Sequence, residues 1–164
     1  MLITRLYTAD DLPLLKAMFY QSLYVRKGQA PFPEEIIEQA NLKKYWVNFG
    51  QRDNDLCLIG IKDGIPIGAI WARFFSPDAG NYGFVRADYP EIGMALQKGF
   101  RGQGLGTELM QIFLAHCQQL GFTGVSLSVD QENIPALRLY EKMNFTKVND
   151  EGTAFTMYKS LPKP

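Results

Sequence analysis

The chain has 164 residues, of which 46% are hydrophobic, 13% aromatic and 21% charged. That length and mix suit one globular domain, residues 1–164, with a buried core, and exclude a disordered chain. Lysine and arginine number 17 and so do aspartate and glutamate, and the zero balance excludes a strongly basic nucleic-acid binder and a polybasic membrane-surface protein.

In chain order, residues 2–7 alternate in strand fashion. Thr8, followed by Asp10 and Asp11, marks a helix start, and Leu12, Leu15, Met18, Phe19 and Leu23 recur at helical spacing. Gly28 and Pro31 break that helix. Glu34 to Phe49 reads as a second helix with Ile36, Ile37, Ala40, Tyr45 and Trp46 inside, closed by Gly50 and a polar run. Leu56–Ile61 is a buried strand, Lys62-Asp63-Gly64 a tight turn, and Ile67–Phe75 the hairpin partner. Residues 76–90 hold Pro77, Asp78, Gly80, Asn81, Gly83 and Pro90, a loop long enough to suggest function.

Glu91–Leu96 is a further strand. After the crowded glycines Gly99, Gly102, Gly104 and Gly106 comes a strong helix, Leu105–Leu120, with Leu105, Leu109, Ile112, Phe113, His116, Cys117 and Leu120 on one side and Gly121 as its stop. Val125–Val129 is a strand. Asn133 opens another helix, with Pro135 in its first turn and Leu137, Tyr140 and Met143 facing inward. Lys147–Asn149 and Thr153–Lys159 close the chain as a strand pair. The order β-α-α-β-β-β-α-β-α-β-β defines an α/β (α+β) domain with a mixed sheet.

The opening MLITRLYTADD lacks the apolar core of an export leader, and no apolar run approaches the roughly 18 residues of a membrane span. Cys57 and Cys117 are far apart and match no metal-ligand spacing. The expectation is two reduced thiols in a cytoplasmic protein with no metal and no membrane or nucleic-acid partner.

The segment from Glu91 to Leu120 is the most informative. A strand runs into Arg101-Gly102-Gln103-Gly104-Leu105-Gly106 and then into a helix. Glycines let the backbone turn sharply and let a ligand approach it, and the N–H groups and dipole of a helix start favour phosphate. A nucleotide-triphosphate loop needs a lysine after its second glycine; Gly99 and Gly104 have the gap, but Leu105 stands in that place. A dinucleotide turn needs G-x-G-x-x-G; Gly102 and Gly104 match, but Thr107 takes the third position. The plain alternative is a turn that merely ends a strand and starts a helix.

Arg101-x-x-Gly104-x-Gly106 resembles the Q/R-x-x-G-x-G/A signature of the GNAT N-acetyltransferases. A second part of that pattern is also present: Asn133, Ala136, then Leu139-Tyr140-Glu141-Lys142, then Asn144-Phe145. The departures are Lys98-Gly99, where many members carry a proline and an acidic residue, and Asn144, where glycine is usual. Asn144 tolerates the left-handed conformation that ends a helix. The element order resembles that family over essentially the whole chain.

This resemblance implies a mixed, mostly antiparallel sheet flanked by helices, with acetyl-CoA as co-substrate and a primary amine as acceptor, attacked directly in a ternary complex. It implies that the pantetheine arm pairs with the backbone of Met94, Ala95 and Leu96, with an N–H near Leu96 polarising the thioester carbonyl. It places the pyrophosphate on the amides of Gly102, Gln103, Gly104, Leu105, Gly106 and Thr107, with Arg101 beside them. Tyr140 is the candidate acid for the departing thiolate; otherwise it is a core tyrosine. Asn133 caps its helix and, by resemblance, also bonds the cofactor or a water.

The acceptor amine must be neutral to attack, and Glu91 is the candidate base, acting through water. Its plain alternative is an exposed strand-edge carboxylate. Ser128 stands where other relatives place a glutamate, Asp130 is a weaker substitute, and His116 reads as structural. The acceptor is expected to meet residues 24–35 and 76–90, which carry Tyr24, Phe32, Phe75, Tyr82, Phe84 and Tyr89 with Glu34, Glu35, Asp78 and Asp88. Arg73 and Arg86 weigh against a simple amine site. A homodimer is a further family expectation. The competing readings are a non-catalytic acyl-CoA-binding or sensing module and a nucleotide-binding protein.

Overall fold

A computed structural model describes all 164 residues, with the side chains of Asn149 and Glu151 left aside. Its strands are β1 (Leu2–Leu6), β2 (Leu56–Lys62), β3 (Ile65–Arg73), β4 (Glu91–Leu96), β5 (Gly124–Asp130), β6 (Thr146–Glu151) and β7 (Ala154–Ser160). Its α-helices are α1 (Leu12–Ser22), α2 (Ala40–Lys43), α3 (Leu105–Gln119) and α4 (Ile134–Lys142). The chain order of these elements is the one the sequence leads to. The hydrogen-bonded strand order is β1-β2-β3-β4-β5-β7-β6. Pairs β1–β2, β2–β3, β5–β7 and β6–β7 are antiparallel, while β4 and β5 are parallel, with Glu91 opposite Ser126. The expected mixed, mostly antiparallel sheet is therefore present.

The chain divides into two compact units. Unit 1 holds Met1–Arg73 and Gly93–Leu109; unit 2 holds Phe74–Ile92 and Met110–Pro164.

In unit 1, Leu15, Met18 and Phe19 on one face of α1 pack with Ile59, Ala69 and Trp71 of the β2–β3 hairpin. The helical period of α1 and the two-residue period of the strands put those side chains on one shared face. Ile37, Trp46 and Phe49 complete this core. They come from the stretch that reads as a single helix over 34–49, and here the structure differs. Residues 34–38 form a 3₁₀ turn, Gln39 is extended at φ −64°, ψ 142°, and α2 lasts four residues. The indole N–H of Trp46 donates to the Ile37 carbonyl at 2.9 Å, folding the stretch back on itself.

Two ion pairs hold parts of unit 1 together. Arg73 is 1% exposed. Its guanidinium donates to both carboxylate oxygens of Asp55 at 3.0 and 2.8 Å and to the carbonyls of Lys44 and Val47 at 3.0 and 2.8 Å. Arg73 is thus part of the scaffold and takes no part in reading an acceptor. Near the N-terminus, Arg5 grips Asp11 through two bonds of 2.7 and 2.8 Å, and the Thr8 amide adds a third at 2.8 Å. These bonds hold the Asp11 carboxyl well below the usual range, at about 2.

In unit 2, Val125, Leu127 and Val129 of β5 are buried along with Phe113, Phe122, Leu137, Phe145 and Met157. Leu120, expected on the apolar face of its helix, is 56% exposed, because it lies just past the last helical residue, Gln119. Both cysteines are free thiols and buried. Burial pushes the Cys57 thiol up, and that of Cys117 up to about 12. Among the described residues, no helix is long and apolar enough to cross a membrane.

Candidate functional site

The glycine turn lies in unit 1. Lys98–Phe100 make a 3₁₀ turn after β4, and Gly102 and Gly104 follow at φ 74° and 80°. Backbone in this left-handed region suits glycine and strains other residues. A Cβ built on either glycine meets no protein atom within 4 Å, so the open side of the turn is a surface that main chain alone presents. The first intrahelical bond of α3 runs from the Glu108 amide to the Gly104 carbonyl at 3.2 Å. The amides of Leu105, Gly106 and Thr107 precede it and have no intrahelical acceptor. A helix of 15 residues adds its positive dipole end there. The turn therefore fits a phosphate group on the strength of backbone donors.

Met94, Ala95 and Leu96 lie in the last strand of unit 1. The Gln97 amide donates to the Ile67 carbonyl of β3 at 2.7 Å. Backbone groups alternate in direction along a strand, so the Leu96 N–H and C=O point away from β3. The carbonyl is occupied: Arg101 Nε donates to it at 3.0 Å, and Arg101 Nη2 reaches Gln21 Oε1 at 3.3 Å. Arg101 thereby ties the strand end to the turn. Gln103 Nε2 donates to the Gly99 carbonyl at 3.0 Å, bracing the turn from within.

The remaining candidates lie in unit 2. Asn133 caps α4, its side-chain oxygen accepting from the Ala136 amide at 3.4 Å, which is the capping role its sequence position suggests. Pro135 stands in the first turn, as expected. At the other end of α4, Asn144 takes φ 66°, so it fills the place where a glycine is usual. Tyr140 is half-buried on α4, with its ring 5.5 Å from that of Phe145. Burial pushes its phenol up to about 12, so it stays protonated at neutral pH.

Glu91 departs from the exposed carboxylate it could have been. It is 9% exposed and accepts a hydrogen bond from Asn81 Nδ2 at 3.0 Å. Gly83 packs on it: a Cβ there would stand 2.7 Å from the Glu91 carboxyl carbon and 2.8 Å from the Ser128 amide nitrogen. Only a glycine allows the loop that close. Ser128 is exposed, Asp130 accepts from the Glu132 amide at 2.9 Å at the end of β5, and His116 is half-buried on α3. Asn81 and Gly83 carry no site signal in the sequence beyond their place in a long glycine-containing loop. Of the loop aromatics, Tyr82 is 67% exposed, whereas Tyr89 is buried with its hydroxyl 3.0 Å from that of Ser160. Arg86 pairs with Asp88 at the surface. In the 24–35 segment, the Phe32 carbonyl accepts from the Tyr20 hydroxyl.

Comparison with known proteins places the whole chain in a family. A model of the acetyltransferase (GNAT) family matches residues 18–145, and the chain belongs to that family. A mycothiol acetyltransferase of Thermomonospora curvata is 35% identical over 101 residues, covering 62% of this chain and 30% of that protein. A mycothiol acetyltransferase of Corynebacterium glutamicum is 30% identical over 95 residues, covering 58% of this chain and 29% of that protein. The match thus spans less than a third of the length of these relatives. The PaiA N-acetyltransferase of Thermoplasma acidophilum, solved in complex with coenzyme A, shares the fold at a TM-score of 0.71 and 17% identity, over 98% of this chain and 99% of that one.

Proposed function

We propose that the protein transfers an acetyl group from acetyl-CoA to a primary amine by direct attack in a ternary complex, with residues 1–164 acting as one N-acetyltransferase domain. The observation that carries this reading is the glycine turn, with Gly102 and Gly104 at positive φ, open space above both, and the amides of Leu105, Gly106 and Thr107 left without an intrahelical acceptor at the start of α3. Membership of the family and the curated acetyltransferase relatives support it.

Bound acetyl-CoA supplies the activated thioester and a thiolate leaving group. The amides of residues 102–107 hold its pyrophosphate, and Arg101 stiffens the turn they belong to. Met94 and Leu96 offer backbone groups on the side away from β3, where an extended arm can pair. The Leu96 N–H polarises the thioester carbonyl; because Arg101 already fills the Leu96 carbonyl, what remains there is a donor. Asn133 keeps α4 in place and adds a polar contact to the cofactor. Tyr140 holds the proton that a departing thiolate takes. Glu91 accepts, through water, the proton that the amine must lose before it attacks. Cytoplasmic residence and a homodimer belong to the same reading.

The test is release of CoA thiol from acetyl-CoA across a panel of polyamines, aminoglycosides, amino acids and peptide N-termini. Release with at least one amine is expected. CoA binding without turnover on any acceptor would favour an acyl-CoA sensor, and failure to bind CoA at all would overturn both.

A further inference from the structure

The loop of residues 80–85 with β6 and β7 borders a half-open pocket of about 380 Å³ within unit 2. Asn81, Tyr82, Phe84, Val85, Val148 and Thr156 line it, and no lysine, arginine or histidine is among its described lining residues. Thr156 donates its hydroxyl proton to the Tyr82 carbonyl at 2.6 Å. The Asn81 carboxamide is the polar group that links this wall to Glu91. Its Nδ2 donates to Glu91 Oε1, while its Oδ1 is buried with no hydrogen-bond donor among the described residues. A buried carbonyl oxygen lacking a donor is a defect that an incoming N–H repairs.

We infer that this pocket receives the acceptor, and that the acceptor is a primary amine carrying an apolar group and no anion on the carbon beside the nitrogen. The inference rests on the acetyltransferase reading above and deepens it. The apolar group meets Phe84, Val85 and Val148, and an amine N–H meets Asn81 Oδ1. A carboxylate in the same place meets no cation and stands near the Glu91 carboxylate, an arrangement that desolvation and like charge both oppose. Asn81 is a positioning residue: one end of its amide orients Glu91 and the other orients the amine.

The experiment compares 2-phenylethylamine with phenylalanine, which differ by one carboxylate, as acceptors in the CoA-thiol assay. The expected kcat/KM favours 2-phenylethylamine by about 30-fold or more, the scale of discrimination set by a misplaced buried charge. Asn81→Leu is expected to raise the acceptor KM about tenfold and leave the acetyl-CoA KM within about twofold. Asn81→Asp puts a second carboxylate beside Glu91 and is expected to move the acid limb of the pH–rate profile upward, because that limb reports protonation of the base. Equal rates for the two acceptors, or an unchanged acceptor KM in Asn81→Leu, overturn the inference. Turnover of other amines with none of 2-phenylethylamine overturns it while the acetyltransferase reading stands. If no amine is turned over, the acetyltransferase reading fails on its own. Titration of 2-phenylethylamine into ¹⁵N-labelled protein then decides: shifts at the Asn81 side-chain amide and the Gly83 amide uphold the pocket, and their absence overturns it.

Discussion

Unit 1 and unit 2 use buried charge for opposite ends. In unit 1, Arg73 and Asp55 face one another, two further carbonyls complete the guanidinium, and the surface that fits a phosphate is made of backbone. In unit 2, Glu91 lies under a loop, is held by the neutral amide of Asn81, and is connected by it to a pocket wall. A buried ion pair with every donor engaged can do little besides hold structure. A buried carboxylate that a loop amide joins to a pocket wall is placed where acid–base chemistry can use it. Under the proposed function, the side chains of unit 1 serve stability and those of unit 2 serve chemistry.

The largest test of this contrast is Asp55→Ala, which strands the Arg73 charge in the core. Urea unfolding is expected to show a loss of about 3–5 kcal/mol, with CoA affinity per folded molecule unchanged; a loss below about 1 kcal/mol would end the scaffold assignment. Next in size is Tyr140→Phe, which keeps the ring against Phe145 and removes the proton. It is expected to lower kcat roughly 100-fold with little change in either KM, whereas a change under about threefold would return Tyr140 to a packing role.

Third is a pair of changes in the turn. Gly104→Val strains a backbone at φ 80° and projects atoms into the open face, and is expected to weaken CoA binding by about tenfold or more in calorimetry. Thr107→Ala, which leaves the amides alone, is expected to change it by less than about threefold. A large Thr107 effect would break the backbone half of the comparison.

Smallest is Asp11→Asn. The Arg5 guanidinium and the Thr8 amide hold the Asp11 carboxyl at about 2, below the ordinary aspartate value. Its folded value is depressed, so its stabilisation is present above the unfolded value and is lost as the pH falls through about 2. Because Arg5 is 42% exposed in its side chain, screening limits the effect to about 1 kcal/mol at neutral pH. The gap in melting temperature between wild type and variant is expected to narrow from pH 4 downward and to leave CoA binding untouched.

Most of the element order was legible because each long element carries its own periodicity. The helix after the glycine turn and the strand pair β2–β3 are written in local apolar spacing. The stretch 34–49 was not, because what breaks it is remote: Trp46 bonds back to Ile37, and Arg73 of β3 takes the carbonyls of Lys44 and Val47. Those carbonyls would otherwise continue a helix. The same reason hid the setting of Glu91. Its burial depends on Gly83 and Asn81 in a loop with no period, and a carboxylate at a strand start reads as exposed until the loop is placed. The glycine turn and the capped α4 were readable since their chemistry is local, one in backbone torsion and one in a side chain three residues from its partner.

Arg73 also sets an order of assembly. Its bonds to Val47 and Lys44 close loops of 26 and 29 residues, a cost in chain entropy that precedes any gain. Residues 44–50 therefore cannot settle until the β2–β3 hairpin offers the guanidinium. This makes the segment a late arrival in folding, and an early departure when Asp55 no longer holds Arg73 in place.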